Sequence, residues 1–307
     1  MLSVLETTCQ NKVKMNTKLH RLNHLFKVVR KMTTSTDSTY KNILVDKVGG
    51  IMTIAINRPE KRNCVNPATA KELVQAFNNF EKDEESKVAV LHGKGGNFCA
   101  GYDLSSLASS EITDLQLEYS GGQAPMGPSR MCFSKPVIAC IDGYAVAGGL
   151  ELALLCDLRV VEESSIMGVF CRRFGVPLID GGTVRLQKLI GLSRAMDLIL
   201  TGQGISGKEA YEIGLANRVT ATGSGLSEAI NMAQTLLKFP QKCMNTDRQS
   251  AYNAAYNAVS LDDALQYEYE NGIKVVLEES LPGAQKFTQG VGKHGSFNLN
   301  SPTKPKL

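Results

Sequence analysis

The chain has 307 residues, 43% of them apolar and 21% charged, with 28 Gly and 10 Pro. That is enough apolar material for one large domain or two small ones, and it excludes a disordered, collagen-like or disulfide-knotted chain as a whole. The formal charge of +4 is unevenly spread: residues 1–36 hold seven Lys/Arg and one acid, Glu6, a net +6, while the rest carries 27 bases against 29 acids. A body at −2 gives no general electrostatic support for nucleic acid, so no such partner is expected.

The chain divides into a leader at 1–38, a core at 39–240, a helical region at 241–290 and a loose tail at 291–307. In the leader, Leu22, Leu25, Phe26 and Val29 fall at helical spacing with Lys and Arg between them. This basic, acid-poor stretch resembles a mitochondrial presequence. A basic tail, or an extension ahead of a start at Met15 or Met32, is the alternative. The C-terminal Pro305-Lys306-Leu307 is a weak relative of the peroxisomal S-K-L address, so peroxisome and cytoplasm stay open beside mitochondrion.

Ile43 to Asp46 and Ile51 to Asn57 are β-branched runs separated by Gly49-Gly50, which predicts a hairpin. Asn66-Pro67 opens a helix whose buried stripe is Ala70, Leu73, Val74, Phe77 and Phe80. Val88 to Leu91 reads as a buried strand, followed by a Gly-rich stretch and the turn around Cys99-Ala100-Gly101-Tyr102-Asp103. A second unit repeats the pattern: strand Pro136 to Ile141, turn Asp142-Gly143, then Gly148-Gly149 into the helix Leu150 to Leu155. A third runs through Leu158 to Val161 and Ile166 to Phe170, then Gly181-Gly182 into Val184 to Ile190. The result is an α/β chain winding in strand-strand-helix turns, with Gly-rich junctions. Beyond residue 195 the pattern is helical. It includes a capping box at Ser206 to Glu209, a helix from Leu226 to Phe239 stopped by Pro240, and helical stretches at Ala251 to Val259 and Leu261 to Leu277.

No stretch approaches the roughly 18 apolar residues of a membrane span, so no membrane partner is expected. Eight scattered cysteines without a C-x-x-C pair read as small core residues of a reducing compartment. His92 and His294 are the body's two histidines, too few for a Cys/His metal site or a Ser-His-Asp triad; no metal is expected.

Two junctions carry candidate chemistry. At Ala100-Gly101-Tyr102 and at Gly148-Gly149, glycines let backbone N–H groups approach a ligand, and the second junction opens a helix whose dipole favours negative charge. Two converging N–H groups can hold an oxyanion. Glu151 sits one turn into that helix among Leu150, Leu152, Ala153, Leu154 and Leu155; burial there raises a carboxyl pKa toward the range that suits acid/base work. The other reading is an ordinary first-turn acid favoured by the dipole.

These residues resemble the enoyl-CoA hydratase/isomerase (crotonase) superfamily. The similarity runs from Lys135 through Gly148-Gly149-Leu150-Glu151 to Cys156-Asp157, with Asn97 to Leu104 before it. Asn57 to Asn63, Gly181 to Leu186 and Leu200 to Val219 extend it, so that it covers about residues 40–290. The resemblance implies a spiral of β-β-α turns with a C-terminal helical trimerisation region, packed as a homotrimer or hexamer. It also implies an acyl-CoA thioester as substrate, with no cofactor beyond the coenzyme A that the substrate carries. By the same resemblance, Tyr102 and Gly148 N–H form the oxyanion hole, Ala100, Gly101 and Asp103 shape its first loop, and Arg58, Lys61 and Arg62 match a loop near the CoA nucleotide. The basic turn alone reads equally as a solvated surface.

Of the two glutamates of a typical family hydratase, the first matches Glu151. The second falls on Cys171, followed by Arg172 and Arg173, which leaves the two-glutamate hydration without its second carboxylate at that place. Asp180 lies near where the dienoyl-CoA isomerase branch carries a catalytic aspartate; its other reading is a cap for the helix near Thr183. Arg172 and Arg173 either bind a substrate carboxylate or salt-bridge Asp180. The expectation is enoyl-CoA hydratase/isomerase chemistry with Glu151 and Asp180 as acid/base groups. A CoA-ester hydrolase or lyase of the same fold, or an inactive CoA- or RNA-binding homologue, is the alternative.

Overall fold

The computed structural model describes residues 40–109 and 124–292; the leader and the tail from residue 293 lie outside the described residues. β1 (Ile43–Val48) and β2 (Ile51–Ile56) form the expected antiparallel hairpin, with Val48 opposite Ile51. Its two-residue turn needs left-handed backbone at both positions, and Gly49 (φ 56°) and Gly50 (φ 85°) provide it. α1 (Pro67–Lys82) begins where the Asn66 side chain accepts from Thr69 N at 2.9 Å, with proline at the first helical position. It buries Ala70, Leu73, Ala76, Phe77 and Phe80, while Val74 is half-buried.

The remaining strands are β3 (Val88–Gly93), β4 (Val137–Ile141), β5 (Tyr144–Val146), β6 (Leu158–Glu162), β7 (Ile166–Gly168), β8 (Gly204–Ser206) and β9 (Arg218–Thr220). The helices after α1 are α2 (Leu104–Ser109), α3 (Gly148–Leu155), α4 (Gly182–Ile190), α5 (Leu192–Thr201), α6 (Gly207–Glu212), α7 (Gly225–Leu236), α8 (Gln241–Tyr256), α9 (Leu261–Val275) and α10 (Leu281–Thr288). Six strands make one sheet in the order β1-β2-β3-β4-β6-β9, parallel from β2 onward. Three make a second, β5-β7-β8, with β5 and β7 parallel and β8 antiparallel.

Both faces of the large sheet are covered, which explains its unbroken apolar strands. Ala89, Leu91, Val137, Ala139 and Ile141 face a core shared with α1 and α3. Their alternates Val88, Val90, Ile138 and Cys140 pack under Ala229, Ile230 and Ala233 of α7. α3 is buried along its whole length.

Three expectations differ from the structure. The segment after residue 195 is not all helix, because β8 and β9 lie within it; three residues are too few to show a strand's alternation, and each is defined by its partner strand. The strand expected over Ile166 to Phe170 stops at Gly168 and passes into a 3-10 turn at Phe170–Phe174. α7 stops at Leu236, short of the expected Phe239, and Pro240 leads directly into α8, which starts ten residues earlier than expected. Among the described residues no helix is long and apolar enough to cross a membrane, no cluster of His, Cys, Asp and Glu is placed to hold a metal, and every described cysteine is free.

Candidate active site

The site begins where two turns touch. Val65 N donates to Gly101 O and Asp103 N donates to Val65 O, both at 2.8 Å, so the peptide groups flanking Tyr102 face Val65 and the Tyr102 N–H faces away. Gly101 has φ 101°, and a Cβ there would lie 3.1 Å from Gly148 N and 3.0 Å from Ala147 Cβ. Only glycine suits that position. Across from it, Ala147 holds φ 54° and ψ −127°, a conformation strained for any residue with a side chain. Its N–H is tied to Gly168 O at 2.9 Å. This bend turns the chain sharply into α3 and makes Gly148 its first residue. Among the described residues neither the Tyr102 N–H nor the Gly148 N–H donates to a protein acceptor. Both residues line a cavity of about 1120 Å³.

Glu151 and Asp180 line the same cavity. Glu151 Oε1 accepts from Asp180 N at 2.9 Å and from Gly182 N at 2.8 Å, which leaves Oε2 as the oxygen for chemistry. Burial pushes the Glu151 carboxyl up to about 7, with the nearby Asp180 charge adding to it and the two amide bonds opposing it. A Cβ on Gly182 would sit 2.9 Å from Glu151 Oε1, so a larger residue there would displace the carboxylate.

Asp180 is not the cap of α4. The cap is Gly181, which has no side chain to bond, and the Asp180 side chain turns the other way: Oδ1 accepts from Met126 N at 3.0 Å and from the Ser129 hydroxyl. Burial raises the Asp180 carboxyl, while the Ser129 and Met126 bonds and the charges of Arg130 and Arg185 oppose that rise. Arg185 braces the arrangement, donating to Asp180 O at 3.2 Å and to Ser129 O at 2.8 Å. Met126, Ser129 and Arg185 were not among the expected site residues. Ser129 stands 51 residues before Asp180, in a turn with no motif of its own, so nothing in the sequence pattern pointed to it.

Cys171 lines the cavity from the 3-10 turn, 8% exposed. Burial, then the Glu151 charge, raises its thiol above the ordinary range, so it presents an uncharged group where the family pattern has a carboxylate. Neither following arginine pairs with Asp180. Arg172 Nε donates to Ile199 O at 3.1 Å, and Arg173 lies over the Phe170 ring and donates to Gly202 O at 3.0 Å.

The basic cluster divides. Arg58 is turned inward, bonded to Asp103 Oδ2 at 2.9 Å and to Cys64 O, where it pins the 58–64 loop against the Tyr102 turn. Burial would raise the Asp103 carboxyl, but the Arg58 bond, the Ser105 bonds and the Arg58 charge outweigh it and hold the group below its usual range. Arg58 is thus a loop brace and not free to meet a phosphate. Lys61 is exposed and outside the cavity lining, whereas Arg62 lines the cavity beside the Tyr144 ring, 5.5 Å from its centroid. Ala100 lines the cavity too, its N–H donating to Arg62 O at 3.0 Å.

Two unengaged N–H groups beside a buried carboxylate pair are the parts needed to hold a thioester enolate. Comparison with known proteins identifies the family. The family model described as enoyl-CoA hydratase/isomerase matches residues 46–288. An enoyl-CoA hydratase of Mycobacterium tuberculosis is 30% identical over 254 residues, covering 80% of this chain and 93% of its own. A short-chain-enoyl-CoA hydratase of Clostridium acetobutylicum is 31% identical, covering 75% of this chain and 87% of its own. The crystal structure of an enoyl-CoA hydratase from Bacillus anthracis superposes with TM-score 0.75 at 31% identity, covering 81% of this chain and 96% of that one. The match spans both turns, the carboxylates and the C-terminal helices, and by it the chain belongs to the enoyl-CoA hydratase/isomerase family.

Proposed function

We propose that the protein moves a proton on an enoyl-CoA thioester, by hydration or isomerisation, through an enolate whose oxygen is held by Tyr102 N–H and Gly148 N–H. As the α-carbon loses or awaits a proton, charge shifts onto the thioester oxygen, and fixed donors favour that enolate over the ground-state carbonyl. Each donor lowers the barrier by about 3 kcal/mol. Glu151 and Asp180 are the acid/base pair. Burial, with the Asp180 charge adding to it, keeps the proton on Glu151 up to about 7, so Glu151 can exchange a proton with carbon near neutrality while Asp180, also raised by burial, serves as the second group. The observation that carries this reading is that Glu151 and Asp180 line one cavity with Tyr102 and Gly148, the Asp180 backbone N–H holding Glu151 Oε1.

With Cys171 uncharged at the second-glutamate position, Asp180 is the other carboxylate among the described residues that line the cavity. The retained carboxylate pair favours turnover over an inactive CoA- or RNA-binding homologue, and the raised Cys171 thiol gives no support to a thiol-based CoA-ester hydrolase. The reaction needs no cofactor besides the coenzyme A of its substrate. Arg62 at the cavity rim, with exposed Lys61 beside it, is suited to the CoA phosphates.

The reading extends to a homotrimer or hexamer in fatty acid metabolism at a mitochondrial address. The exposed apolar stripe of α9 supports the first; the +6 leader and a Dictyostelium discoideum relative named a probable mitochondrial enoyl-CoA hydratase support the second.

The test is turnover of a panel of enoyl- and 3-hydroxyacyl-CoA esters, followed by absorbance of the conjugated thioester. Glu151→Gln and Asp180→Asn are each expected to lower kcat by about 100-fold or more with bound ester retained. Undiminished turnover in Glu151→Gln would end its assigned role.

A further inference from the structure

The cavity is lined mostly by apolar side chains, and the cations among its lining residues are Arg62 and Arg173. They stand at opposite ends of the small sheet. Arg62 lies beside Tyr144, the first residue of β5. Arg173 is tied to Gly202, just ahead of Gly204 of β8, which pairs with Gly168 at the far end of β7. The Tyr102 turn adjoins Arg62 through Ala100 N, which donates to Arg62 O. Cys171, which feels the Glu151 charge, adjoins Arg173 in one short turn. A thioester seated on the two N–H groups therefore has Arg62 toward one end of the small sheet and Arg173 toward the other.

Arg173 is held in place. Its guanidinium carbon lies 3.7 Å from the Phe170 ring centroid, and Nη2 donates to Gly202 O. Stacking and that one bond orient the planar group and leave other donors unused. Among the described residues no carboxylate pairs with it. Around it the cavity wall is Phe170, Phe174, Val176, Pro177 and Ile179. Arg173 is exposed at this edge of the cavity, so its unused donors are open to the end of an acyl group; an alkyl tail offers them nothing, whereas a planar anion with two oxygens matches their fork. The CoA phosphates belong to the opposite end, beside Lys61 and Arg62.

We propose that Arg173 is a specificity-determining residue that binds a second carboxylate on the acyl group, so that the substrate class is the CoA monothioester of a dicarboxylic acid. The inference rests on the acyl-CoA reading above and names its substrate class. A charge-assisted pair of this kind discriminates by about 10- to 100-fold against a neutral tail.

The experiment pairs binding with turnover on the full chain. Calorimetry compares adipoyl-CoA with hexanoyl-CoA, saturated esters that bind without reacting, and rate measurements compare the matching 2-enoyl esters with carboxylate and methyl ends. Wild type is expected to favour the carboxylate-ended ester in both measurements. Arg173→Gln should lose that preference by about 10- to 100-fold while the methyl-ended ester changes little and serves as the control for folding. Arg173→Lys, a point charge without the fork, should fall between. Equal affinity of wild type for the two saturated esters, or an equal loss for both in Arg173→Gln, overturns the proposal. Retained discrimination in binding without turnover of either enoyl ester overturns the reaction and leaves the substrate class standing.

Discussion

Glu151 carries its carboxyl at about 7 because α3 takes it out of water and Asp180 opposes its charge. A folded-state pKa above the unfolded value means that the native state holds the proton more tightly. The associated stability is fully present below about 4.5 and is lost as pH rises through about 7. Glu151→Gln keeps an oxygen to accept from Asp180 N and Gly182 N but has no charge to bury. The variant should therefore gain on wild type between about pH 5 and about pH 8 by roughly 2–3 kcal/mol. Urea unfolding at the two pH values measures the difference, and an offset that does not change with pH would remove burial of the charge as its cause. Loss of turnover together with gain of stability is the signature expected of an active-site carboxylate, since groups placed for chemistry are seldom placed for stability.

α3 and the two turns before it work as one element. Gly148 and Gly149 are adjacent, yet a side chain at each would meet different obstacles. A Cβ on Gly149 would lie 2.0 Å from Cys99 O, a backbone atom bridged to β5, whereas one on Gly148 would lie 2.5 Å from Met126 Sδ, the far end of a flexible chain. Gly149→Ala should therefore destabilise the fold by about 1–3 kcal/mol. Gly148→Ala should cost less stability but more activity, because Met126 must move and its N–H positions Asp180. Thermal unfolding beside kcat separates the two, and equal effects on both quantities would contradict the distinction.

At the scale of the whole molecule, an apolar face is left uncovered among the described residues. On α9, Leu261, Leu265, Tyr269 and Ile273 recur every four residues, so they fall along one side of the helix, and all are exposed, as are Val276 and Leu277 just beyond it. A contiguous exposed apolar stripe is the kind of surface a subunit contact would cover, so assembly is the expected outcome. α8 is anchored to the core through Arg248, which bonds Asp157 Oδ1 at 2.6 Å and Phe133 O at 2.7 Å, with Tyr252 on the same carboxylate. The stripe is thus carried by a braced scaffold. Sedimentation should show a trimer or its multiple, and Leu265→Asp with Tyr269→Asp should yield smaller species with unchanged helicity. A wild-type monomer at micromolar concentration would refute the assembly.

Much of this was legible in order along the chain: the Gly49-Gly50 hairpin, the Asn66 cap, the Ser206 to Glu209 capping box and the buried strands each depend on a few neighbouring residues. The same holds for Glu151, whose apolar neighbours already foretold its burial, and for the glycine turns that present the two N–H groups. What depended on the tertiary structure were contacts between residues far apart in sequence. Asp180 reads locally as a helix cap, and only the arrival of Ser129 and Met126 from another loop draws its carboxyl off the helix, while its backbone N–H holds Glu151. Arg58, Lys61 and Arg62 read as one basic patch until Asp103 draws Arg58 inward. β8 and β9 are three-residue strands defined by partners and not by pattern. Local sequence determines backbone preference and solvent affinity residue by residue, but which donor meets which carboxylate is set by long-range packing, and that packing gives this site its chemistry.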